Sequence, residues 1–460
     1  MNWLLIGLFG YVGLQLVVGL AVSRKVASES DYLVAGRKLG PALVVFSMFA
    51  TWFGAESCIG AAGAVYAEGL SGARADPFGY AACLFLIGAV FAAPLWRRKL
   101  TTLGDLFAWR FGARVEKLAV LLMAPTSVLW AAAQIRAFGQ VVSISSGLEL
   151  ELAIALSAGV VILYTAAGGL LADAVTDLIQ GAVLTVGLIA LAVAVFVLGD
   201  ASLAGLAETS RSFAPVETSW LARAESWAIP VCGSVLAQEM VARVLAARSP
   251  ELARGGAFAA SGLYVAVGII PVGLALVGAR ILPGLEDPEQ ILPRMALQHF
   301  PLWFYAIFAG SLISAILSTV DSALLAAASL VSHNLIVPLR PEMEDRSKLR
   351  LARVCVVVFG IVSYLLALHA EGVYALIETA AAFASSGVLV SASFGLFSRI
   401  GGARSAAAAL LVGAAAWSVA EWGELVEAPY LASLAAALVS YLAVAAFENA
   451  APETAPETAS

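Results

Sequence analysis

The stretch SAILSTVDSALLAAAS, Ser314 to Ser329, carries Ser318, Thr319, Asp321 and Ser322 within an otherwise apolar run. A hydroxyl or carboxylate placed in hydrocarbon is costly unless a partner satisfies it. Ala315, Ser318, Thr319 and Ser322 are spaced i, i+3, i+4 and i+7, so a helix aligns them along one face. Small residues at 315 and 323 let a second backbone approach closely. A hard monovalent cation such as sodium takes several oxygens, some from hydroxyls and some from carbonyls freed where a membrane helix is broken. The competing use of such hydroxyls is a bond to their own i−4 carbonyl or to a neighbouring helix. Asp321 tips the balance, because acids inside a span are usually functional.

The rest of the chain is built for lipid. Its 460 residues are 61% hydrophobic and 13% charged, against about 25% charged in soluble domains. Apolar runs of roughly 20 residues, each long enough to cross a bilayer, recur throughout. We read thirteen spans, near 2–22, 41–66, 77–96, 118–143, 150–168, 172–199, 226–246, 257–281, 300–333, 351–369, 372–396, 404–420 and 429–447. The fold class is thus an all-α polytopic membrane protein, a single domain over 1–447. The segment 448–460, which repeats APET, reads as a disordered cytoplasmic tail.

Lys and Arg fix an expected orientation. Loops 22–40, 97–117, 243–254, 340–353 and 399–404 hold 20 of the 26 basic residues, and the alternate loops hold five. The positive-inside rule then sets the N-terminus outside and the C-terminus in the cytoplasm of a cell membrane. The basic residues Arg24 and Lys25 follow the first apolar run, which favours a retained helix over a signal peptide. The net charge of −6 is confined to loops, and no basic, aromatic patch suggests nucleic acid. Cys58, Cys83, Cys232 and Cys355 are scattered, as are the three histidines, so neither disulfides nor a His/Cys metal site are expected. No GxxxxGK[ST] loop is present, and no nucleophile–base set of an enzyme is visible. Uphill movement of a solute would therefore draw on an ion gradient.

Two further segments stand out. In FSMFATWFGAESCIGAAGAVYAEG (46–69), Gly54, Gly60 and Gly63 weaken the middle of a helix that also holds Trp52 and Glu56. In GGLLADAVTDLIQG (Gly168–Gly181), Asp177 enters the sixth span, where a helix-start acid is one reading and an ion ligand the other.

Together with DYLVAGRKLG (Asp31–Gly40) and AILSTVDSALLAAASLVSHNL (Ala315–Leu335), these segments resemble the sodium/solute symporter family, whose members move sugars, proline, pantothenate and choline. The resemblance implies a LeuT-like core of two inverted five-helix repeats, about 41–199 and 226–396. One N-terminal and two C-terminal helices would lie outside that core. It implies co-transported sodium at a main site formed by the carbonyls of Ala50, Phe53 and Ala315 and the hydroxyls of Ser318 and Thr319. A second sodium site, present in some members, would match Asp177, Ser318, Asp321 and Ser322, with an acid at 321 in place of a hydroxyl.

Within the family the chain looks like the choline-transporter branch and is also similar to proline symporters. Trp52, Tyr80 and Trp130 match aromatic positions that could cage a quaternary ammonium, with Glu56 one turn beyond Trp52. Two departures are visible. Val231 follows Ile229-Pro230 where the choline transporters carry Trp, and Arg136 puts a positive charge near a cation site. Arg136 either pairs with Glu56 or Glu239 or binds the carboxylate of a zwitterion. The expected partners are a small organic solute (amine, betaine or amino acid) and membrane lipid, with no obligate protein partner. A transporter-fold sensor and a proton-coupled symporter are the alternatives.

Overall fold

The computed structural model describes residues 28–197 and 219–448 except 371, together with isolated positions before 28 and between 198 and 218. Apart from such positions, the expected first span 2–22 and the tail beyond Glu448 lie outside the described residues. Regular structure is helical, and the described residues hold one isolated β-bridge, between Leu39 and Ala247.

Helix α1 (Glu29–Val34) opens on a capping box between Ser28 and Asp31. Helix α2 (Pro41–Trp52) starts with proline in its first turn, where the missing N–H costs nothing. It ends at Trp52 because Phe53 leaves helical geometry (φ −78°, ψ 71°). Helix resumes at Glu56–Gly60 and continues as α3 (Ala61–Glu68). The run Glu56–Arg97 is 42 residues long, about 63 Å at 1.5 Å per residue if straight, twice a bilayer core. Gly69 (φ 67°) and Asp76 (φ −131°, ψ 129°) divide it into two passes, the second comprising α4 (Tyr80–Leu86) and α5 (Ala92–Arg97).

Next come α6 (Leu103–Phe111), α7 (Ala113–Ser146), α8 (Leu150–Gly168) and α9 (Leu170–Phe196). The seventh expected span is broken: α10 (Trp220–Ala228) runs on to Gly233, and α11 (Gln238–Ala246) departs at 44°. Helices α12 (Pro250–Ile281), α13 (Ile291–His299), α14 (Leu302–Ser329) and α15 (Asp345–His369) follow. A further break, at Phe383 and Ala384 (φ 60°), separates α16 (Val373–Ala382) from α17 (Ser385–Phe397). The described residues end with α18 (Ala403–Trp422) and α19 (Pro429–Phe447).

Among the described residues nine helices are long and apolar enough to span a membrane, ten with the bent pair, while α2 and α8 are shorter. Large apolar side chains such as Leu163, Val186, Leu365 and Val419 face outward, as lipid contact requires. Helix α14 is the opposite case: every residue from Phe308 to Leu330 is buried, so it forms the central post. It packs on α7 and α9 and meets α2 beside the break.

Candidate functional site

The break after Trp52 releases backbone carbonyls. In an unbroken helix the Gly54 N–H would reach Ala50, and that of Ala55 would reach Thr51. Here Gly54 N–H donates to the Trp52 carbonyl (2.8 Å), and Ala55 N–H donates to Gln134 Oε1 of α7 (3.2 Å). The Ala50 carbonyl is thereby left to α14, which answers it with two hydroxyls. Ser318 Oγ donates to it at 3.1 Å, and Thr319 Oγ1 lies 3.3 Å from it and 3.2 Å from the Ala315 carbonyl. Ala50 O, Ala315 O, Ser318 Oγ and Thr319 Oγ1 thus converge, with Phe53 at the break itself. All are buried. Neutral oxygens converging in a dry site suit a hard monovalent cation. The Ser318 hydroxyl also bonds Asp177, whose carboxyl lies behind the site. Asp177 is held in place by Ser47 Oγ of α2 (2.6 Å).

The second expected ion set separates. Asp321 turns to the Thr165 hydroxyl of α8, and Ser322 bonds Arg243. Asp177, 3.7 Å from Arg243, shares Ser318 with the first set. The physical reason is that α14 is buried all round, so Asp321, one turn beyond Ser318, meets α8 while Ser318 and Ser322 meet α2 and α11. Arg243, expected near the inner surface, is buried inside α11 at 1% exposure.

Next to the break, Trp52, Tyr80 and Trp130 form a trio of buried rings, with centroids 5.4, 6.5 and 6.1 Å apart for Trp52–Tyr80, Trp52–Trp130 and Tyr80–Trp130. Each comes from a different segment: the end of α2, the start of α4 and the middle of α7. The Glu56 carboxyl lies beside Tyr80 and Asp76, while Glu239 of α11 lies beside Trp52 and Ser127. Trp52 Nε1, Trp130 Nε1, Gln134 Nε2 and Glu56 Oε2 are buried without hydrogen-bond partners. Orphaned polar atoms are rare in a folded interior, and four around one aromatic trio mark a place that a polar ligand would complete. A cleft of about 40 Å³ opens from Trp130 and Glu239 along the breaks at Gly233–Ala237 and Phe383–Ala384. It has room for waters, and an organic solute requires the helices to part.

Arg136 does not fit its expected partners. It pairs with neither Glu56 nor Glu239, and its Nη1 donates to the Ala367 carbonyl in the last turn of α15 (3.1 Å), where the helix dipole favours a cation. Asp76 was not read from the sequence; Ser57 and Tyr264 each donate to it at 2.7 Å. Gln134 was also missed, although an amide midway along an apolar span is a visible signal.

Two broken helices crossing beside a buried post, with an oxygen cluster at one break, define a secondary transporter. The sodium:solute symporter family matches residues 32–413, and the chain belongs to that family. It is therefore a multi-pass membrane transporter, not an enzyme, from a family that co-transports sodium. The high-affinity choline transporter 1 of Caenorhabditis elegans is 27% identical over 409 residues, 80% of this chain and 69% of that one. Its human counterpart is 29% identical, over 75% of this chain and 63% of that one. The osmoregulated proline transporter OpuE of Bacillus subtilis is 26% identical, over 80% and 78%. The chain thus spans about two thirds of the length of the choline transporters. A sodium-coupled sialic acid symporter solved in a substrate-bound outward-open state superposes with a TM-score of 0.83 at 17% identity, covering 98% of this chain and 99% of that one. MhsT in complex with L-phenylalanine superposes at 0.56, covering 88% and 98%. The fold is LeuT-like.

Proposed function

We propose that the protein imports a small organic cation or zwitterion, of the choline, betaine or amino-acid class, together with sodium by alternating access. The observation that carries this reading is the set of orphaned polar atoms around Trp52, Tyr80 and Trp130, one turn from the oxygens of Ala50, Ala315, Ser318 and Thr319. A quaternary or protonated amine on the faces of those rings gains about 0.5–2 kcal/mol per cation–π contact. Glu56, buried and without a basic partner among the described residues, adds attraction. Sodium at the main site ties α2 to α14, so ion occupancy and the shape of the aromatic trio are linked through three residues of backbone. Segments 41–199 and 226–396 form the two inverted repeats in this reading, each beginning with a broken helix, at Phe53 and after Gly233. The excess of Lys and Arg on alternate loops supports an extracellular N-terminus and a cytoplasmic C-terminus.

The test is thermal stability of the purified protein in sodium and in potassium, with choline, glycine betaine or proline added. A ligand that binds only the folded state raises the melting temperature by mass action. The expected result is a sodium-specific rise, enlarged by one of the three solutes. Identical curves in the two salts overturn sodium coupling at this site and direct attention to protons. In Glu56→Gln, the sodium shift is expected to persist while the solute shift falls about tenfold in apparent affinity. An unchanged solute response removes Glu56 from the site.

A further inference from the structure

We propose that Arg243 is a resident cation: its guanidinium fills the carboxylate pocket that a second sodium would need, so the protein binds one sodium per cycle. Arg243 sits five residues into α11 and is 1% exposed. Its Nη2 bonds both the Asp173 carboxylate and the Ser322 hydroxyl and lies 3.7 Å from Asp177. Nη1 donates to the Glu239 carbonyl in its own helix (3.1 Å). Two of the four residues expected to hold a second sodium, Asp177 and Ser322, therefore already face a positive charge. A third, Asp321, is engaged with Thr165 on another side of α14. The fourth, Ser318, is shared with the main site.

A sodium ion inserted here would have to displace the guanidinium from Ser322 and sit beside it between the same carboxylates. Two like charges within one dry pocket repel strongly, and Arg does not lose its proton in a protein. The sequence hides this arrangement, because Arg243 lies at the edge of a run of basic residues that reads as a solvated loop. Being covalently held to α11, the charge that faces Asp173 and Asp177 is never released. It does for those carboxylates what an ion would do, without coupling to the sodium gradient. The inference rests on sodium binding at the main site.

The experiment is equilibrium binding of radioactive sodium to the full-length purified protein. The wild type is expected to saturate at one ion per chain with a Hill coefficient of 1. Arg243→Gln is expected to take up a second ion, raising both the stoichiometry and the Hill coefficient toward 2, while Arg243→Lys stays at one. Removing one partner of a buried pair is destabilising. The double variant Arg243→Gln/Asp173→Asn, which removes both members, therefore serves as the companion and is also expected to bind two. Two ions on the wild type overturn the proposal, as does a single ion on all the variants, since the pocket would then have no affinity for sodium to displace. No sodium on any form overturns the sodium reading of the main site itself, and this inference falls with it.

Discussion

Gly54 is where a single atom decides the proposed ion site. An added Cβ would point straight at the Thr319 hydroxyl, with the Ala315 carbonyl and Gln134 Oε1 each 3.2 Å away. Two of these, Thr319 Oγ1 and Ala315 O, belong to the converging set, so the methyl of Gly54→Ala crowds the cluster from one side. The Thr319 side chain is β-branched and buried, with little freedom to turn away. Apparent sodium affinity in the thermal-stability assay is expected to fall at least tenfold in Gly54→Ala, with the protein still monodisperse. Ser318→Ala/Thr319→Ala removes two oxygens instead and is expected to raise the sodium requirement by a similar factor. Undiminished sodium dependence in that double variant would sink the site assignment. The hydroxyls of α14 were legible in the sequence because polar atoms in an apolar run announce a need. Their partners Ala50 and Asp177, 268 and 141 positions away from Ser318, came from the family resemblance and not from the spacing. Spacing along one helix says which residues share a face, never which helix faces them.

Among elements, the breaks matter more than the helices. The glycines of 46–69 announced a weak helix, yet the chain gives way at Phe53, before the first of them, because Gln134 captures the Ala55 N–H. The break at Phe383 and Ala384 contains neither Gly nor Pro, and nothing local marks it. The long apolar runs, by contrast, were legible almost to their ends, since burial in lipid demands unbroken backbone pairing. Helix α6 shows how a short connecting element is pinned between such runs. Asp105 accepts from the N–H groups of Thr101 (2.7 Å) and Thr102 (3.1 Å) and from Asn334 Nδ2 (2.8 Å), with His333 at 3.4 Å. Burial pushes its carboxyl up, but the His333 bond and charge and the two N–H donors outweigh it and hold it below the ordinary value. A depressed carboxylate stabilises the fold at pH values above its unfolded pKa, and that contribution is lost as pH falls through the folded pKa. Asp105→Asn should therefore cost about 1 kcal/mol, a typical cap, or about 2 °C in melting temperature, at neutral pH. The gap from wild type should stay constant down to about pH 4, the ordinary Asp range, and close below it. A gap that persists in acid would show that the side chain acts by packing and not by charge.

At the scale of the whole molecule, the motif DYLVAGRKLG resolves into a clasp. Arg37 donates to the carbonyls of Lys99 (2.8 Å), Leu100 (2.6 Å) and Leu245 (3.3 Å). Leu39 pairs with the backbone of Ala246 and Arg248, and Trp96 Nε1 donates to the Ala247 carbonyl (2.6 Å). The clasp thus joins the segment entering α2 to the ends of α5 and α11 at one end of the bundle. Helix α2 carries the Ala50 carbonyl and α11 carries Arg243 and Glu239, so the groups tied here are those proposed to bear on ion and solute. Cys232 lines the cleft that runs from Trp130 between α11 and the first half of α7, and α11 ends at the clasp. In the proposed cycle, opening the cleft at this end parts α11 from α2, and the Arg37 bonds break with it. A hydrogen bond from a charged donor is worth about 1.5 kcal/mol or more, so Arg37→Ala should shift the closed–open balance at least tenfold toward open. The readout is maleimide alkylation of Cys232, the least buried of the described cysteines. Its rate should rise about tenfold in Arg37→Ala without sodium, and sodium should slow it in both proteins by drawing α2 onto α14. If the variant melts normally and Cys232 reacts at the wild-type rate, the clasp secures the fold and takes no part in opening the cleft.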